Sequence, residues 1–259
     1  LIRMFRNFFI FLILGFYLIG CEPNEKPVRE RFVIYAASSL TDALTSLEIR
    51  FEKLHPKIDM VTVFAGSQVL RLQIAQGAPA DVFISANPDH VADLVANHYV
   101  SETQTFAYNR LALIFPSGNP ANIQTPAELV KARRLILGNE QVPIGKYARQ
   151  WLFKMDSLSE EGFSQRVLSR VVSQENNVRL LRAKVELGEA DAAIVYATDA
   201  LTSDAVEYLP IEPEMNIRTE YQLARVSKSS TRSVWTKWIS FLRTNAVRDM
   251  IEKEALELP

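Results

Sequence analysis

Three short stretches of the chain join small residues and hydroxyls to the starts of helices. In the first, Ala36-Ala37-Ser38-Ser39, a strand-like run (Phe32 to Tyr35) gives way to apolar residues at helical spacing: 40, 43, 44, 47, 51 and 54. In the second, Ala65-Gly66-Ser67 follows the strand-like Met60 to Phe64, and in the third Val142-Pro143-Ile144-Gly145 precedes a helical stretch carrying Tyr147. The first N–H groups of a helix have no acceptor within it and carry partial positive charge. A serine beside them adds a neutral donor, so the chemistry such turns can do is to hold an anion. Taken singly, each turn reads first as a helix cap or a tight bend. Ser39, with Asp42 three residues on, suits an N-cap in a capping box. Three such turns in one chain shift the balance toward an anion that is fully ionised at neutral pH, which needs donors only.

The elements that position these turns alternate. Strand Met60–Phe64, helix Gln68–Gln76 closed by Gly77, strand Asp81–Ala86, and a helix opened by Asn87-Pro88 follow the first pair. Phe106 to Pro116 is a long extended run that leaves one domain for another. Beyond it come a helix opened by Thr125-Pro126-Ala127-Glu128, strand Arg134–Leu137, helix Gly145–Lys154, helix Asn177–Leu187 closed by Gly188, and buried strand Asp191–Tyr196. Tyr221 to Val226 crosses back, and helices at about 233–243 and 245–255 finish the chain. The pattern predicts an α/β protein of two doubly wound lobes joined by two extended crossings, with lobe 1 at 31–110 plus 225–259 and lobe 2 at 111–224. In such sheets ligands sit beyond the carboxyl ends of the strands, where all three turns lie.

At 259 residues, 48% hydrophobic and 23% charged, the chain has the composition of an ordinary globular protein. A net charge of -1 and no basic stripe exclude a nucleic-acid footprint. At the N-terminus, Arg3 and Arg6 precede an apolar run from Phe8 to Gly20 that is short for a membrane span and reads as a signal peptide over residues 1–20. It ends in Leu18-Ile19-Gly20-Cys21, which resembles the bacterial lipobox. That resemblance implies cleavage before Cys21, lipid on its sulfur, an exported protein tethered to a membrane through residues 21–30, and an outer part of 27 basic and 30 acidic side chains. An uncleaved anchor and an ordinary signal peptide are the alternatives.

Beyond the turns themselves, Gly77-Ala78-Pro79-Ala80-Asp81-Val82-Phe83-Ile84-Ser85-Ala86, Val142 to Ala148 and Ala193-Ile194-Val195-Tyr196 occur in order. Together with the serine turns they resemble the periplasmic molybdate-binding proteins of ABC importers, over residues 32–242. The resemblance implies the type II periplasmic-binding-protein fold, closing on molybdate or tungstate. It also implies an oxyanion held by the hydroxyls and amides of Ser39 and Ser67, the amides of Ile144 and Val178, and the hydroxyl of Tyr196. The metal of the oxyanion would be held only through those residues, with no cofactor and no catalytic residue. The implied partners are the oxyanion, the permease and ATPase subunits of the importer, and a membrane reached through lipid; nucleic acid is not among them, and the protein is expected to act as a monomer. Asp81 reads as structural, since a carboxylate would repel the ligand. Gln68, where relatives often carry a small residue, narrows the cleft or adds a donor, Lys146 reads as solvated, and the C-terminus departs from the family's aromatic-glycine ending.

Other readings have less behind them. An enzyme using the Ser39 turn would need a base, and neither His55, His90 nor His98 falls in a serine turn or a metal-ligand spacing. A same-fold receptor for phosphate would need an acceptor for the proton that phosphate keeps, and a ferric receptor would want paired tyrosines or carboxylates. Sulfate shares molybdate's charge and shape, and stays open.

Overall fold

Two five-stranded sheets, each flanked by helices, make up the computed structural model, which describes residues 29–158 and 162–259. The signal-peptide and lipidation readings, Cys21 included, lie outside the described residues.

The first lobe begins with β1 (Glu30–Ala37), a single turn of 3₁₀-helix, and α1 (Thr41–Leu54), followed by β2 (Ile58–Ala65), α2 (Ser67–Ala75), β3 (Val82–Ser85), α3 (Pro88–Ala96) and β4 (Val100–Asn109). α1 turns Ala43, Leu44, Leu47 and Phe51 inward, the stripe its apolar spacing predicts. Gly77 closes α2 at φ 87°, a backbone region that costs other residues strain. The second lobe contains β5 (Leu111–Pro116), a 3₁₀ segment at Pro126–Lys131, β6 (Leu135–Gly138), α4 (Pro143–Asp156), α5 (Phe163–Leu168), β7 (Val171–Glu175), α6 (Val178–Glu186), β8 (Ala192–Tyr196), α7 (Ala197–Leu201) and β9 (Val206–Pro210). β10 (Thr219–Val226) returns to the first sheet, and α8 (Arg232–Leu242) and α9 (Asn245–Lys253) pack there. Phe51 on α1 meets Trp238 and Phe241 on α8 at ring separations of 5.2 Å.

The strand orders are β2-β1-β3-β10-β4 and β7-β6-β8-β5-β9. In both sheets three parallel strands are followed by an antiparallel one that arrives from the other lobe: β10 in the first, β5 in the second. The sheets are therefore mixed, where alternation alone predicts parallel ones. The lobes exchange a strand at the same position, which makes each crossing part of a core. Because β10 is paired from Thr219 onward, the chain has rejoined the first sheet six residues before the expected boundary at 225.

Other local readings differ too. The expected helix after Thr125 is a 3₁₀ segment, and Glu128 Oε2 accepts from the Gln124 amide at 2.7 Å while Thr125 makes no side-chain cap. The extended run at 106–116 is two strands that part at Arg110, with β4 reaching back to Val100. Strands β7 and β9 and helices α5 and α7 carried too little periodicity to be seen, being edge strands or only five or six residues long.

Two carboxylates brace the frame. Asp81 is structural, as its position suggests: Oδ2 accepts from the Val33 amide at 2.7 Å, and Oδ1 accepts from the hydroxyls of Ser229 (2.6 Å) and Thr231 (2.8 Å). In the unusual C-terminus, Glu257 pairs its backbone with Tyr108, and its carboxylate holds Arg110 and Arg218, which flank the two crossings.

Candidate functional site

Six strand ends, three from each lobe, meet at one small cavity. Its lining follows β1 (Ala37, Ser38, Ser39), β2 (Ala65, Gly66, Ser67), β3 (Ala86), β6 (Val142, Pro143, Ile144), β7 (Asn177, Val178) and β8 (Tyr196). All five residues that the resemblance singles out thus line the same space, two from one lobe and three from the other. The turns bearing Ser39, Ser67 and Ile144 were legible as local patterns, Val178 and Tyr196 came through the resemblance, and the convergence of all five is set by the sheets.

Ser67, Ile144 and Val178 stand in the first turns of α2, α4 and α6, where amides lack acceptors within the helix. Pro143 at the start of α4 removes an N–H that would have needed a partner and leaves Ile144 as the first donor. Asn177 caps α6 by accepting from the Leu180 amide at 3.1 Å, so its carboxamide leaves the Val178 N–H alone.

Ser39 does not cap its helix. It lies in the 3₁₀ turn ahead of α1, and its Oγ is 2.8 Å from the Tyr221 hydroxyl; the local side-chain bond there is Thr41 Oγ1 donating to the Ser38 carbonyl. Ser67 Oγ accepts from the Ala86 amide at 3.1 Å. Tyr196 is 2% exposed, and its hydroxyl, buried, has no hydrogen-bond partner among the described residues. Burial raises its pKa well above the ordinary tyrosine value, so the group stays protonated and can donate. An unpaired hydroxyl in such a place costs free energy unless something fills the cavity and accepts from it.

The cavity is thus lined by hydroxyls, helix-start amides and small or apolar groups, and no carboxylate lines it. The cavity's volume is about 10 Å³, near the minimum for a single water.

Arg179, Gln68 and Lys146 make polar contacts that join the lobes around the cavity. Arg179, next to Val178, donates to the Ser38 carbonyl (3.2 Å) and binds the Asp42 carboxylate; its Nε also lies 3.0 Å from Asp199 in an ionic contact without hydrogen-bond alignment. Burial raises the Asp199 pKa to about 7, while nearby Arg179 and Arg182 oppose that shift. For Asp42, burial works against ionisation, but the bond and charge of Arg179 outweigh it and hold the carboxyl below its usual range. Gln68 Nε2 donates to the Asn176 carbonyl at 2.8 Å, so that donor serves the lobe contact and not the cavity. Lys146 pairs with Asp89 of the first lobe, where sequence alone suggested a free surface lysine.

Glycines set two close approaches. A Cβ on Gly145 would meet the carbonyl oxygens of Asn139 at 2.0 Å and Gly138 at 2.4 Å, both backbone of its own lobe. Gly145→Ala should push α4 off β6, displace the Ile144 amide and cost about 2–3 kcal/mol of stability in a denaturant titration. A midpoint unchanged from the native protein would show that the α4 turn yields freely.

Two α/β lobes that close by polar contacts over a buried set of donors define a two-lobed binding protein whose cleft suits a small anion. The model of the bacterial extracellular solute-binding proteins matches residues 32–255, and the chain belongs to that family. It is 31% identical to the molybdate-binding protein ModA of Escherichia coli K12, over 90% of both chains. It is 28% identical to a putative ABC transporter substrate-binding lipoprotein, YvgL, of Bacillus subtilis 168, over 96% of this chain and 98% of that one. Among solved structures, the sulfate-binding protein SubI of Mycobacterium tuberculosis H37Rv superposes with a TM-score of 0.78 at 16% identity, over 88% of this chain and 86% of that one, which shows the type II periplasmic-binding-protein fold. These relatives are solute-binding proteins, not enzymes.

Proposed function

We propose that the chain is the substrate-binding subunit of an ABC importer that captures a tetrahedral oxyanion, molybdate or tungstate, between its lobes and delivers it to the permease and ATPase subunits. The observation that carries this reading is the cavity itself: Ser39, Ser67, Tyr196 and the helix-start amides of Ile144 and Val178 offer donors from both lobes, and no carboxylate lines the space. Such a donor set is assembled only when the lobes meet, so a bound anion favours the closed state. Molybdate is favoured over other oxyanions by the similarity to ModA. Export and lipid attachment at Cys21 rest on the N-terminal motif, with support from the relative called a lipoprotein. The second reading, a sulfate receptor, is favoured by the same donors, since sulfate has the same charge and shape; the closed cavity is too small to choose between the two.

Thermal melting of the protein freed of ligand, repeated with molybdate, tungstate, sulfate and phosphate, separates these readings. A ligand present at a hundredfold excess over its Kd adds about 2.7 kcal/mol to the folded state. Molybdate and tungstate should raise Tm by several degrees and phosphate should not. A shift with sulfate alone would favour the second reading, and no shift with any of them would overturn both.

A further inference from the structure

Tyr221 belongs to none of the motifs in the sequence, yet it is fully buried beside the cavity, with its ring centroid 6.0 Å from that of Tyr196. Its hydroxyl is 2.8 Å from Ser39 Oγ, and the direction of that bond follows from its neighbours. Asn109 Oδ1 accepts from the Arg110 amide at 2.8 Å, which fixes the orientation of the carboxamide. Asn109 Nδ2 is then the donor, to the Tyr221 hydroxyl at 3.1 Å and to Thr198 Oγ1 at 3.0 Å. Tyr221 is kept protonated by burial, and its oxygen already accepts from Asn109, so its one proton goes to Ser39. Ser39 Oγ is thereby used as an acceptor inside the protein, and its own proton is left for the cavity. The Ala86 amide does the same for Ser67.

We propose that Asn109 and Tyr221 are positioning residues that turn the Ser39 proton toward the cavity, and that this polarity sets the preference for a fully ionised oxyanion over one that carries a proton. The proposal rests on the oxyanion-binding reading above. The relay is built from the two crossings: Asn109 ends β4, Tyr221 lies in β10, and Asn109 also reaches Thr198, two residues beyond Tyr196. Asn109, Tyr221 and Ser39 all belong to the strands or strand ends of the first sheet, so these three groups are held by one lobe.

Removing the relay frees a lone pair of Ser39 toward the ligand, which a protonated oxyanion can use and a fully ionised one cannot. The test is calorimetric titration of the purified native protein, Tyr221→Phe and Asn109→Ala with molybdate, sulfate and phosphate, beside a melting curve of each. Both variants should weaken binding of the fully ionised anion and narrow its advantage over phosphate by at least about tenfold, the effect of one hydrogen bond made or lost in a buried site. Tyr221→Phe keeps the ring and should fold; Asn109→Ala leaves the tyrosine in place and breaks the relay from its other end. Parallel losses for all three anions would reveal a merely structural role and overturn the relay while leaving the oxyanion site standing. Native protein that binds none of the three would overturn the site reading and the relay together.

Discussion

Ser39→Ala combined with Ser67→Ala should weaken oxyanion binding by roughly 3–6 kcal/mol, two to four decades in Kd, because two charge-assisted donors vanish at once. The two hydroxyls enter from the ends of β1 and β2 and belong to the same lobe, so the double variant strips one wall of the cavity and leaves Ile144, Val178 and Tyr196 on the other. Part of any loss will appear in the ligand-free protein. Ser67 Oγ accepts from the Ala86 amide and Ser39 Oγ is bonded to the Tyr221 hydroxyl, and deleting either oxygen leaves a buried polar group without that partner at a cost of about 1–3 kcal/mol. Calorimetric titration should therefore be read against the melting temperature of the unliganded variant. A Kd within a factor of a few of the native value would remove both serines from the site.

Gly66→Ala should leave the protein folded and yet lose most of its affinity, at least about a hundredfold, from a change of one methyl group. Gly66 has φ -63° and ψ 134°, a conformation that alanine adopts readily, and the three atoms nearest to an added Cβ include no backbone of the first lobe. The obstacle lies across the cleft: that Cβ would stand 2.4 Å from the Asn176 carbonyl oxygen of the second lobe, and 2.6 Å from the Gln68 amide that bonds the same oxygen. The methyl group therefore props the lobes apart by about an ångström and breaks one of the contacts that hold them. Directional hydrogen bonds from opposite walls cannot all be kept at that separation. Small-angle scattering should show the variant failing to contract when ligand is added, while its unliganded melting temperature stays near native. Contraction and native affinity would mean that closure tolerates the extra atom. The contrast with Gly145→Ala is instructive, because there the clash is inside one lobe and the loss should fall on stability.

Much of this was readable in the chain. Alternating strand and helix patterns, glycines after helices, and serines where strands hand over to helices are all local features. They follow from the 2.0 and 3.6 residue periods and from the unpaired amides at helix starts. Hence the two lobes, the crossings and the turns bearing Ser39, Ser67 and Ile144 could be named before any coordinates, while Val178 and Tyr196 needed the family resemblance as well. Short or edge elements such as β7, β9, α5 and α7 escaped because a few residues do not establish a period, and the 3₁₀ segment after Thr125 mimicked a capped α-helix.

Tertiary structure decided the rest, since partners distant in sequence leave no local trace. Ser39 looked like a cap and instead meets Tyr221, 182 residues away. Lys146 looked solvated and reaches Asp89 of the other lobe, and Gln68, expected to narrow the cleft or to add a donor, gives its amide to Asn176. The exchange of β5 and β10 between sheets is likewise invisible in either strand alone, because an antiparallel strand buried in a sheet has the same apolar run as a parallel one. The chain's local order determined which groups could donate to an anion. Only the packing of the two sheets decided that they face one cavity, and which of their protons point into it.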